Sequence, residues 1–93
     1  MPRIIRLVEA RDGKHKWIAE FDSGKKTRFG SEPYEDYTQH KDKERRELYR
    51  LRHKKDLETG DPTRAGYLSY YILWGDSTSI QQNVKSFNKR FQS

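Results

Sequence analysis

The sequence predicts an α+β domain: an N-terminal three-stranded antiparallel β-meander followed by three α-helices. Three observations carry this. β-rich runs are punctuated by Asp12-Gly13 and by Asp22-Ser23-Gly24, a helix-start signal stands at Asp61-Pro62, and Ile80, Val84, Phe87 and Phe91 recur at i, i+4, i+7 and i+11.

The first two runs, Ile4 to Ala10 and Lys16 to Phe21, are joined through Asp12-Gly13, and the third, Lys25 to Phe29, follows the second turn. Short runs separated by tight turn residues pair as neighbours in a meander. Trp17, Ala19 and Phe21 alternate with Lys16, Ile18 and Glu20, which places an aromatic face toward the helices. Phe29 is the only anchor of the short, polar third strand. Residues 31–40 read as a loop: Pro33 blocks helix continuation, and Tyr34 and Tyr37 are expected to pin the segment down.

From Lys41 the pattern turns helical. Asp42 and Glu44 sit in the first turn and Lys54 and Lys55 in the last, the arrangement the helix dipole favours, and Leu48 and Leu51 form a thin apolar stripe. Most of this helix is therefore expected to face solvent or a partner. After Gly60, Asp61 as N-cap and Pro62 in the first turn predict a helix over residues 63–74. Its residues are apolar nearly all round, so it should be buried on more than one side. Ser77 is the expected N-cap of the last helix. Nothing divides the chain, so residues 1–93 form one domain: 1–30 a β-meander, 31–40 a loop and 41–93 the helical part.

Composition narrows the function classes. Leu, Ile, Val and Phe make up 17 of the 93 residues, a share low enough to warn of disorder, but twelve aromatic residues spread along the chain supply a core. The absence of cysteine rules out disulfides, thiolate metal sites and a Cys nucleophile, and fits a reducing compartment. The segment Met1 to Val8, interrupted by Arg3 and Arg6, is not expected to act as a signal-peptide core. The longest apolar stretch, Gly66 to Trp74, is about half the length of a membrane span. His15, His40 and His53 lack metal-ligand spacing, and no nucleophile, acid–base pair or cofactor motif stands out. Gly24-Lys25-Lys26-Thr27 fails as a phosphate-binding loop, because Ala19 stands where its first glycine belongs and Lys26 where Ser or Thr must follow the lysine. No enzyme, metal, cofactor or small-molecule substrate is expected. A binding or assembly module is.

The formal charge of +6 is uneven. Lys41 to Lys55 holds eight Lys/Arg against Asp42, Glu44 and Glu47, so an excess remains after every local acid is paired. Arg45, Arg46, Arg50, Arg52, Lys54 and Lys55 are accordingly the candidate basic face for an anionic partner, with a merely solvated helix face as the plainer alternative. Reversing the four arginines is expected to leave the fold largely intact. Tyr67, Tyr70, Tyr71 and Trp74 are the second candidate surface, since Tyr and Trp are enriched at interface hot spots, against ordinary core as the alternative.

Three segments resemble one family. They are Lys26-Thr27-Arg28-Phe29-Gly30 followed by Tyr37-Thr38-Gln39-His40-Lys41-Asp42; Glu44-Arg45-Arg46 with Tyr49 and Arg52-His53-Lys54; and Asp61-Pro62-Thr63-Arg64-Ala65-Gly66 leading to Leu73-Trp74. In this order, over about two-thirds of the chain, they resemble a family of small basic proteins of large DNA viruses of eukaryotes, the algal-virus and giant-virus group. Tyr67 and Tyr70-Tyr71 depart from its Trp-rich pattern. The resemblance implies a viral setting: a minor capsid or internal virion protein bridging larger coat proteins, located in the virion or otherwise in the host cytoplasm or nucleus. The alternative is a nucleic-acid-binding protein that lays the Lys41 to Lys55 helix along phosphates.

Overall fold

The computed structural model describes residues 3–32 and 34–91, and its elements follow the expected α+β order. Strands β1 (Ile4–Glu9), β2 (His15–Phe21) and β3 (Lys26–Ser31) form one antiparallel sheet in chain order. Its first turn forms because the Asp12 carboxylate accepts hydrogen bonds from the backbone N–H groups of Lys14 (2.9 Å) and His15 (2.8 Å) while Gly13 takes a positive φ of 76°. The same bonds, the His15 backbone bond foremost, hold the Asp12 carboxyl well below the usual carboxylate range.

Register sorts the two faces. Trp17 pairs with Phe29, and Ala19 lies between Leu7 and Thr27, so the expected aromatic face is assembled across all three strands. A bulge between Ile4 and Arg6 lets Ile4 return to the core face and leaves Ile5 exposed. The opposite face is polar: Glu20 accepts from Arg6 and lies 3.4 Å from Lys26, and Asp12 lies 3.5 Å from Arg28.

The helical part covers the core face. It consists of α1 (Tyr37–His40), α2 (Lys43–His53) continued by a 3-10 segment (Lys54–Thr59), α3 (Ala65–Leu68) continued by a π-helical segment (Ser69–Leu73), and α4 (Ile80–Phe91). Ile4, Ala19, Phe21 and Phe29 of the sheet meet Leu68, Ile72, Leu73 and Phe87 in one core. Two asparagines of α4 stitch it shut. Asn88 accepts from the Ile4 N–H (2.8 Å) and donates to the Ile4 carbonyl (3.0 Å), standing in for a neighbouring strand at the edge of β1. Buried Asn83 donates to the carbonyls of Ile72 (2.8 Å) and Ser77 (2.7 Å) and accepts from the Ser77 N–H (3.0 Å), satisfying backbone groups that the end of the π-helical segment leaves open. Gly75 is required beside it, because a Cβ there would lie 2.2 Å from the Tyr71 carbonyl oxygen.

Several boundaries differ from expectation. The segment read as a loop over 31–40 holds the last residue of β3 and the whole of α1, whose start is fixed by a capping box: the Asp36 carboxylate accepts from the Thr38 N–H (2.9 Å) and the Gln39 side chain accepts from the Asp36 N–H (3.0 Å). Tyr37 is buried as expected, whereas Tyr34 is 72% exposed and pins nothing; Pro33 lies outside the described residues. The helix expected from residue 63 begins at Ala65, since the Asp61 carboxylate bonds the backbone and hydroxyl of Thr63 and caps a turn instead. Those two bonds also lower the Asp61 pKa. The N-cap of α4 is Ser79 rather than Ser77: the Ser79 hydroxyl accepts from the Gln82 N–H, while Ser77 is held by Asn83.

The core assignment of the last helix is checked at Phe87, which is 1% exposed and packs against Tyr71 and Phe91. Phe87→Ala should lower the stability measured by urea unfolding by about 3–5 kcal/mol; an unchanged unfolding midpoint would refute the core assignment.

Candidate functional site

Helix α2 carries the basic face, and its attachment decides which cations are free. No residue of α2 is fully buried. Leu48 and Leu51, the apolar stripe read from the sequence, point outward at 55% and 74% exposure. The helix is held instead by rings and guanidiniums. Tyr49 stacks on Trp74 with centroids 4.2 Å apart and planes 5° from parallel, and His53 stacks on the other side of Tyr49 at 4.1 Å. His40 extends the column beyond Trp74 at 5.2 Å. Its Nδ1 accepts from the Asp42 N–H (2.9 Å), and the Asp42 carboxylate in turn caps α2 by accepting from Glu44 and Arg45.

Arg46 and Arg50 fasten the same side. Arg46 donates through Nε to the Gly75 carbonyl (2.7 Å) and through a terminal nitrogen to Asp76 (2.6 Å), and its guanidinium lies 5.3 Å from the Tyr37 ring centroid. Arg50 reaches Asp76 at 3.2 Å and lies over Tyr70 at 4.8 Å. Their side chains are 13% and 19% exposed. Two of the six basic residues expected at a partner surface therefore belong to the scaffold, and both expose little of their charge. Arg45, Arg52, Lys54 and Lys55 are exposed, and among the described residues none has an acid within 4 Å.

The aromatic helix is spent largely inside the chain. Tyr67 is buried with its hydroxyl donating to the Leu57 carbonyl, Tyr71 contacts Phe87 and Phe91, Tyr70 lies under Arg50, and Trp74 completes the column. Burial, with a smaller contribution from Asp56, pushes the Tyr49 hydroxyl up to about 12. Burial likewise raises Tyr71.

The outer side of α2 and the connection from β3 to α1 flank an open groove of about 710 Å³, whose lining includes Tyr34, Arg45, Leu48, Arg52, Ser69 and Trp74. Sequence reasoning missed Tyr34 and Leu48 as surface residues, having given both to packing. His53 and Asp56 also line the groove and bond each other at 3.1 Å, and the Ser69 side chain sits against the Tyr49 hydroxyl. Among the described residues, no three His, Asp or Glu side chains converge as metal ligands would, and no helix is long and apolar enough to cross a membrane.

A model of a family of unknown function, DUF5754, matches residues 5–53. The chain belongs to this family. The DUF5754 match takes in the meander, α1 and the whole of α2, ending at His53; the loop that Arg46 and Arg50 clasp lies beyond the matched residues. Neither the curated proteins nor the solved structures yield a match.

Two predictions follow from how α2 is fastened. Charge reversal of Arg46 and Arg50 to Glu should cost about 1–3 kcal/mol in urea unfolding through lost charged hydrogen bonds, whereas reversal of Arg45 and Arg52 should leave the unfolding midpoint within error; equal effects would contradict the division. This corrects the expectation that all four arginines are dispensable to the fold. The second concerns alkali. The folded chain keeps the Tyr49 proton that the unfolded chain releases near pH 10.0, so stability present below that pH is lost as pH rises toward about 12. Unfolding midpoints followed over this range should fall less steeply for Tyr49→Phe than for the unaltered protein; parallel slopes would contradict it.

Proposed function

We propose that the protein is a structural component of a virus particle, a small non-enzymatic module that docks an acidic, partly apolar face of a larger coat protein through the outer side of α2. The observation that carries the docking is the placement of Leu48 and Leu51, exposed, among the unpaired Arg45, Arg52 and Lys55. Cations alone attract any polyanion. Exposed leucines among them gain only from a partner that covers apolar surface as well as neutralising charge, and a protein face does both. The viral setting rests on the resemblance of the three segments described above. Within this reading Tyr67, Tyr70, Tyr71 and Trp74 build the platform that presents α2 rather than a second contact.

Nucleic acid remains the second reading, because Arg45, Arg52, Lys54 and Lys55 would also suit phosphates. It predicts duplex affinity falling with salt by a log–log slope of about −0.9 per phosphate contact, and it leaves Leu48 and Leu51 without a role.

Quantitative mass spectrometry of purified particles of the encoding virus, after lysine-reactive cross-linking, tests the proposal. Many copies per particle, with links from Lys54 and Lys55 to a coat protein, are expected. Absence from the particle, or links found only in a nucleoprotein fraction lost on nuclease treatment, would overturn it.

A further inference from the structure

The groove between α2 and the β3–α1 connection has a more specific chemistry than the outer face of the helix. Arg45, Leu48 and Arg52 stand at i, i+3 and i+7 and so share one side of α2, giving that wall a cation–apolar–cation stripe. Tyr34 faces into the same groove from the connection, with 72% of its surface uncovered, and Trp74 contributes to the lining while its ring stacks on Tyr49. Gly30 permits the close approach beneath: it has a φ of 85°, and a Cβ there would lie 2.9 Å from Leu73.

Pairing sorts the charge in the lining. Lys16 is bound to Asp36 at 2.7 Å, and Asp56 shares a hydrogen bond of 3.1 Å with the His53 ring. Arg45 and Arg52 remain without an acid on the α2 wall, while exposed Glu35 is the acid left on the other side. Its volume of about 710 Å³ is room for a few side chains, in a groove that stays open along one side.

We infer that the groove receives a linear acidic segment of the partner protein, with an aliphatic side chain seated between Tyr34 and Leu48 and flanking carboxylates on Arg45 and Arg52. This deepens the docking reading and rests on it. A bare polyanion satisfies only the arginines. An uncharged peptide satisfies only the apolar pair.

Fluorescence anisotropy on the full chain tests the inference with three labelled probes: a short polyaspartate peptide carrying one central leucine, an all-aspartate peptide of equal charge, and oligothymidylate. The leucine peptide should bind at least roughly tenfold more tightly than the all-aspartate peptide, the return expected from covering one such side chain. That advantage should vanish in Tyr34→Ser and in Leu48→Ser, and persist in Ile5→Ser, which alters an exposed apolar side chain of β1 outside the groove. Unfolding curves of the same variants should match the unaltered protein, since both groove side chains are exposed. Equal affinity for the two peptides, failure of both to bind, an equal loss in Ile5→Ser, or tighter binding of oligothymidylate than of the leucine peptide would overturn the groove assignment. The docking reading is judged separately by the particle cross-links, which do not depend on how any peptide binds.

Discussion

The stack of Trp74 on Tyr49 is the contact on which the placement of α2 depends. An amphipathic helix normally docks by burying an aliphatic stripe, but α2 turns both its leucines outward and has no fully buried residue. What holds it is a column in which His53, Tyr49 and Trp74 stack ring upon ring and His40 leans on Trp74 at 55°, braced by Arg46 and Arg50 on the Gly75 carbonyl and Asp76. Offset aromatic contacts and charged hydrogen bonds are directional. They fix the rotation of the helix about its own axis, and that rotation decides which cations reach solvent.

The net positive charge of the chain therefore divides into two kinds. Arg46 and Arg50 are turned inward over Tyr37 and Tyr70, where their charge is answered by Asp76 and by the faces of the rings. Lys16 is likewise drawn in to hold the capping box of α1. One part of the excess that remains lies on the outward side of α2 and the 3-10 segment after it, next to exposed leucines, and another on α4, where Lys85, Lys89 and Arg90 are exposed. Local basicity, apolar exposure and an adjoining groove coincide in one region, and no comparable grouping appears on the outer face of the sheet, where Glu20 and Asp12 answer Arg6, Lys26 and Arg28.

What could be read in the sequence was what is decided locally. The meander is written in its turn residues and in the alternation of Trp17, Ala19 and Phe21, and α4 in the spacing of its apolar residues, so both survive in the structure with boundaries shifted by a residue or two. The division of labour among the arginines was not legible, because Arg46 and Arg50 find their partners 26 to 30 positions away. Nor was the outward turn of Leu48: a leucine pair at i, i+3 signals a buried stripe only when aliphatic packing is what docks the helix, and here rings at Tyr49 and His53 take that role. The short helix at Tyr37–His40 had a local signal, Asp36 followed three residues later by Gln39, concealed by the turn-like composition around it.

The π-helical segment Ser69–Leu73 gives the length of the chain a meaning of its own. Its hydrogen bond from the Trp74 N–H reaches back five residues to the Ser69 carbonyl, one more than an α-helix spans, so the segment accommodates an extra residue in the winding. Each residue of an α-helix turns the chain by about 100°. In a regular α-helix the loss of one residue would turn everything beyond it through roughly that angle; between Ser69 and Leu73 it removes the extra residue instead, restores the four-residue turn and leaves Trp74 one turn beyond Ser69, as it now is. The stretch is therefore the place where the chain can lose one codon and still hold the Trp74 ring against α2, whereas the same loss between Ile80 and Phe87, in the regular winding of α4, would turn Phe87 off the core.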